Sequence, residues 1–150
     1  MIPSHTIDTQ AAICAEARSW LGTPYHHLAD VKGVGVDCAM LVVRVFVAVG
    51  MVPADLDPRP YAWDWHLHQG AEKYRDWLDI YGDEVTNVEP GDIALWRFGR
   101  TYSHGAIVME DCETIVHAYR DAGRVTLGGL TETMLAGRQR VVYRVRTNGG

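Results

Sequence analysis

The sequence predicts an α+β domain in which N-terminal helices pack on a central antiparallel β-sheet of about five strands. Three observations carry that expectation. The first half places apolar residues at helical spacing between capping and helix-breaking residues. From Glu89-Pro90-Gly91-Asp92 onward the pattern changes to short β-branched runs separated by turn residues. The chain has 150 residues, 47% hydrophobic and 22% charged, which suffices for one core without disulfide or metal staples. Residues 1–150 are therefore expected to form one domain.

Residues 7–21 read as the first helix, with Asp8 or Thr9 as N-cap and Ile7, Ala11, Cys14, Ala15, Trp20 and Leu21 as its apolar set. Gly22-Thr23-Pro24 ends it. A loop with Gly33 and Gly35 spans 25–36. Asp37 then opens the segment CAMLVVRVFVAV, closed by Gly50. Its greasy circumference and two caps predict a buried central helix. Three prolines and two tryptophans mark 53–65 as an ordered surface loop, and 66–80 as a further helix containing Tyr74, Trp77, Leu78 and Ile80. Strands are expected at 93–98, 104–109, 113–119, 124–127 and 140–145, joined as a meander.

The net charge of −5 argues against nucleic acid or anionic lipid as the main partner. No run approaches the ~20 apolar residues of a membrane span, so no membrane insertion is expected. Cys14, Cys38 and Cys112 form no CxxC, which argues against a disulfide framework or a cysteine-rich zinc site. His5, Asp8, Glu16 and Arg18 interrupt residues 1–20, so no signal peptide is visible and synthesis in the cytoplasm is expected.

The chemistry points to Cys38. Directly after a capping Asp37 it becomes the first residue of a helix, where free N–H groups and the dipole stabilise a thiolate. A buried core cysteine is the bland alternative. His104 and His117 change the balance. They fall 13 residues apart on two predicted neighbouring strands, and Ile115, His117 and Tyr119 share a face. A cysteine at a helix start facing a histidine on a sheet is the papain-type arrangement, in which imidazole takes the thiol proton and a third polar group orients it.

The sequence resembles the NlpC-type cell-wall peptidases, a papain-like family of cysteine amidases, and most of all their phage tail branch. The resemblance runs from about Ala11 to Val145. It rests on Trp20-Leu21-Gly22-Thr23-Pro24-Tyr25 with Val36-Asp37-Cys38-Ala39-Met40-Leu41-Val42, on Glu89-Pro90-Gly91-Asp92-Ile93-Ala94-Leu95-Trp96, and on Ser103-His104-Gly105-Ala106-Ile107-Val108 with Val116-His117-Ala118-Tyr119. It implies the papain-like NlpC-type fold. It also implies Cys38 as nucleophile, His104 as general base and then acid, and His117 as the orienting third member. Tyr25 and Asp37 fall in the substrate and oxyanion group, with the Cys38 N–H as a further oxyanion donor.

The implied reaction is hydrolysis of an amide in the peptide stem of peptidoglycan, commonly between the D-glutamate side-chain carboxyl and the diamino acid, with no cofactor or metal. The implied setting is a phage or prophage tail particle that opens the wall for DNA entry, with tail-tip proteins as partners. The family's usual Ser and Gly after the nucleophile are Ala39 and Met40 here. That departure leaves a second possibility, a catalytically silent structural tail-tip or assembly protein of the same fold.

His26, His27, His66 and His68 lack an acidic or cysteine partner at metal-ligand spacing. Tyr61, Trp63 and Trp65 fit anchors of a proline-rich loop better than sugar platforms. Arg97, Arg100 and Arg120 are solvated surface by default, with the carboxylates of an acidic stem peptide as the sharper alternative.

Overall fold

Helix α1 (Ile7–Ser19) is capped by Thr6, whose hydroxyl accepts from Thr9 N. The cap therefore precedes both Asp8 and Thr9, the residues expected from sequence. The computed structural model describes residues 2–61, 73–132 and 135–147. In α1 the buried stripe is Ile13, Cys14 and Ala17, continued by Trp20, while Ile7, Ala11 and Ala15 face solvent. Of the expected stripe Cys14 and Trp20 are buried, whereas Ile7, Ala11 and Ala15 are not, because Ala fits either face and Ile7 stands in the first turn.

The loop at 25–36 contains a hairpin, β1 (Asp30–Val31) with β2 (Gly35–Val36), not foreseen in the sequence. Helix α2 (Cys38–Ala48) is the expected central helix. Asp37 caps it, Ala39, Met40, Leu41, Val42, Val45 and Phe46 are buried, and it packs on the sheet and on α1. Residues 53–61 have no regular structure and are pinned by side chains: Arg59 ion-pairs with Asp30 and Asp57, and Tyr61 donates to Asp37. The expected loop residues Trp63 and Trp65, and the start of the expected 66–80 helix with His66 and His68, lie outside the described residues. Helix α3 (Lys73–Tyr81) buries Tyr74 and Leu78, whereas Ile80 is exposed.

The sheet has six antiparallel strands: β3 (Gly82–Val85), β4 (Ile93–Phe98), β5 (Thr101–Val108), β6 (Thr114–Tyr119), β7 (Arg124–Gly129) and β8 (Arg140–Val145), in the order β3-β8-β4-β5-β6-β7. Strands β4 to β7 form the expected meander. Strand β8 departs from it by returning to pair with β4. The extra strand, β3, is a short edge strand reading GDEV, with too little apolar character to announce itself.

Both sheet faces are covered. Ile93, Leu95, Ile107, Val116, Ala118 and Tyr143 join the helices in one cluster, while Ala94, Trp96, Ala106, Val108 and Ile115 pack on Leu130 and Leu135 in another. Double-sided burial explains why these strands read as continuous apolar runs. The Glu89–Asp92 turn earns its place structurally. Gly91 takes φ +85, and the fully buried Asp92 receives two bonds from Arg144, each 2.9 Å, tying β8 to the start of β4.

Candidate active site

Asp37 has an extended backbone (φ −107, ψ 179), and its Oδ1 accepts from Met40 N at 2.9 Å, which turns the chain into α2. The same buried carboxylate accepts from Leu28 N at 2.8 Å and from the Tyr61 hydroxyl at 2.7 Å, and His27 Nδ1 stands 3.7 Å away. Asp37, expected from sequence in the substrate and oxyanion group, is thus occupied by protein donors. Its negative charge would also oppose a developing oxyanion. It is a clasp joining the 26–29 loop, the 53–61 loop and the helix start.

Cys38 follows as the first residue of α2. Its half-buried thiol donates to the carbonyl of Ser103 at 3.5 Å, so the sulfur lies against β5 at the residue before His104. The Tyr74 hydroxyl donates to the Cys38 carbonyl at 3.3 Å. Gly105 faces that phenol so closely that a Cβ would collide with it. Burial, followed by the Asp37 charge, pushes the Cys38 thiol up to about 12, although amides at Gly105, Ala39 and Cys38 itself pull the other way. The expectation that the helix start alone lowers this pKa is overturned. The peptide dipoles act as predicted, but desolvation and a buried carboxylate outweigh them.

Tyr25 is held by its backbone, which donates to Gly123 O at 2.8 Å and bridges Val36. Burial keeps its phenol protonated far above the ordinary range, with the charges of Cys38 and Asp37 adding to the effect. It is therefore a neutral O–H donor within electrostatic reach of the sulfur.

The two imidazoles meet. His104 Nε2 is 2.8 Å from His117 Nδ1. The ladder between β5 and β6 pairs only Ile107 with Val116 and Val108 with Ile115, so the strands part beyond it and the two rings lie where they have separated. His104 packs against Trp96 and Phe98, and His117 stacks on Tyr119 at 5.2 Å and 19°. The rings thus occupy the sheet face of Trp96, whereas Cys38 approaches from the face of α2. Thiol and imidazole converge on the same Ser103–Gly105 stretch of β5 from its two sides. Burial, then the neighbouring His117 and Arg138, takes His104 down to about 3, and burial takes His117 down to about 4 against the pull of Glu132. At neutral pH the arrangement is a neutral thiol beside a neutral imidazole pair.

Tyr61 is an anchor, through Asp37. Arg97 bonds Gln139 at the surface, and Arg120 lies close enough to Tyr25 to favour its anionic form. Ala39 and Met40 are fully buried, so the extra bulk of Met40 is absorbed by the core. Among the described residues no group of three or more His, Cys, Asp or Glu is placed to hold a metal, and no helix is long and apolar enough to cross a membrane. Tyr74 and the Ser103 carbonyl were missed. Tyr74 looked like an ordinary core position on a helix, and a backbone carbonyl leaves no mark on a sequence.

Solved structures share this architecture. The NlpC/p60 domain of the peptidoglycan hydrolase SagA superposes with a TM-score of 0.58 at 21% identity, over 89% of this chain and 97% of that one. An NLP/P60-family lipoprotein-like protein from Staphylococcus aureus gives 0.69 at 20% identity, over 97% of this chain but only 44% of its own length. An N-acetylmuramoyl-L-alanine amidase from Bacteroides uniformis gives 0.64 at 14% identity, over 93% of this chain and all of that one. No family model and no curated protein matches the sequence. The fold is that of NlpC/p60 domains, an α+β, papain-like architecture.

Proposed function

We propose that the chain is a cysteine peptidase that hydrolyses an amide in the peptide stem of bacterial peptidoglycan. The observation that carries this reading is the 2.8 Å contact between His104 and His117, set against the strand on which the Cys38 thiol rests. The shared fold with peptidoglycan hydrolases supports the substrate class.

The neutral resting pair sets the order of events. The thiol rests against the strand that carries His104, and in this reading His104 accepts its proton as Sγ attacks the amide carbonyl. The oxyanion takes hydrogen bonds from the Cys38 N–H and the Tyr25 hydroxyl. His104 returns the proton to the leaving amine, and water activated by the same ring then cleaves the thioester. His117 keeps the imidazole oriented throughout. We place the cleaved bond between the D-glutamate side-chain carboxyl and the diamino acid, and the protein in a phage or prophage tail. Both rest on the sequence resemblance, and detection of the chain in purified particles tests the second.

Mass spectrometry of muropeptides digested by the purified protein tests the chemistry. Wild type is expected to produce a new amine and a new carboxyl within the stem peptide, and Cys38→Ala none. The neutral thiol is the observation that favours the rival reading, a silent structural tail protein. Unaltered muropeptides with wild type would support that rival, whereas equal digestion by both proteins would remove Cys38 from the chemistry.

A further inference from the structure

The side of His117 turned away from His104 opens onto Gly128 and Glu132. A Cβ on Gly128 would stand 2.8 Å from His117 Nε2 and 3.3 Å from Glu132 Oε2, so the ring nitrogen and the carboxylate border one spot that the missing side chain leaves open. The ladder explains the placement. Thr126 pairs with His117 and Gly128 with Ile115, which puts Gly128 one pleat along on the same face as the ring. The chain then turns back over that spot, with Leu130 N donating to Glu113 O at 2.7 Å and Glu132 N to Gly129 O at 3.1 Å.

We propose that Glu132 is a positioning residue for the cysteine–histidine chemistry, selecting the His117 tautomer that carries its proton on Nε2. This rests on the proposed hydrolase reading. The argument is one of proton placement. With hydrogen on Nε2 facing a carboxylate, His117 Nδ1 is an acceptor, and the 2.8 Å contact requires His104 to donate from its own Nε2. The lone pair of His104 then sits on Nδ1, free to take the thiol proton. In the opposite tautomer His117 donates from Nδ1, the His104 proton moves to Nδ1, and the base has nothing with which to accept. On proton transfer the S–H bond breaks, an N–H forms at His104 Nδ1, and His117 changes neither proton nor charge.

The groups facing His117 are consistent with this. Tyr119 stacks on it, His104 meets its Nδ1, Arg138 acts on His104, and the acidic group, Glu132, borders the Nε2 side. A side chain larger than hydrogen at position 128 would fill the gap through which the carboxylate, directly or through a water, addresses the ring.

Long-range 15N–1H spectra of the histidine rings at pH 7.5 test the tautomer without any turnover. Wild type is expected to show His117 protonated at Nε2. Glu132→Met, which keeps side-chain length and removes the acceptor, is expected to raise the Nδ1-protonated population at least tenfold. Glu132→Asp is expected to restore most of the wild-type spectrum, and Glu132→Ala replaces Met if that protein does not fold. An unchanged His117 spectrum in the acceptor-free variant overturns the proposal. Failure of the hydrolase reading shows separately, as unaltered muropeptides with wild type. Where wild type digests them, Glu132→Met is expected to lower kcat about tenfold with KM within twofold, less than the loss caused by a wholly wrong tautomer in a buried triad. A change in KM alone overturns the positioning role.

Discussion

His104 Nε2 and His117 Nδ1 share one proton across 2.8 Å, and both rings are held neutral chiefly by burial, His104 against Trp96 and Phe98 and His117 against Tyr119. A buried imidazole pair is a liability in acid and an asset at neutral pH. That trade makes the pair visible in stability as well as in chemistry.

The acid limb of stability is the first consequence. Both pKa values, about 3 and about 4, lie below the 6.5 of a free imidazole. Between those values the unfolded chain binds protons that the folded one does not, so stability rises with pH. The contribution is complete above pH 6.5 and is lost as pH falls toward 4 and then 3. Melting curves are expected to drop by roughly 10 °C from pH 7 to pH 5, at about 2–4 °C per kcal/mol for a chain of this size. The drop is expected to be shallower in His117→Asn. Equal slopes for the two proteins would show that the pair is not the acid-sensitive element.

Reactivity of the thiol follows from the same electrostatics with the sign reversed. With its pKa pushed up to about 12, Cys38 in the free protein holds little thiolate at pH 8. Iodoacetamide is expected to modify it more slowly than a free thiol of pKa ~8.5, with a rate that keeps climbing tenfold per pH unit beyond 9. Peptide mass spectrometry reads the modification at each cysteine. Rapid labelling of Cys38 at pH 7, levelling off by pH 8, would mean that the helix dipole prevails over burial after all.

Much of this was legible in the sequence, for reasons that also mark where legibility stopped. Caps and length announced α2 because Asp37, a twelve-residue greasy run and Gly50 all agree. The meander of β4 to β7 was announced by turn residues at even spacing. The two histidines were found because strand parity fixes which residues share a face. Four things were hidden. The return of β8 beside β4 is a long-range pairing with no local signature, and β3 is an edge strand of four residues with a single apolar side chain. The sign of the Cys38 shift depends on how many protein atoms surround the sulfur, and that number comes from packing alone. Glu132 looks like any surface acid until β7 turns it over His117.

Asp37 is where framework and chemistry meet, and removing its carboxylate is expected to do two separable things. In Asp37→Ala the helix loses its cap, worth ~1 kcal/mol. The Leu28 amide and the Tyr61 hydroxyl also lose this acceptor in a buried setting, each worth ~1 kcal/mol or more. A combined loss of about 3 kcal/mol is expected in urea unfolding, as a lower midpoint at unchanged slope. Asp37→Asn keeps an oxygen for the cap and is expected to lose about half as much. It also removes the negative charge that ranks second, after burial, in raising the Cys38 thiol, so Cys38 alkylation at pH 8 is expected to quicken several-fold in Asp37→Asn. Loss of stability without faster alkylation would leave burial as the whole cause of the neutral thiol. Faster alkylation without loss of stability would mean that the clasp is not what holds the two loops to the helix start.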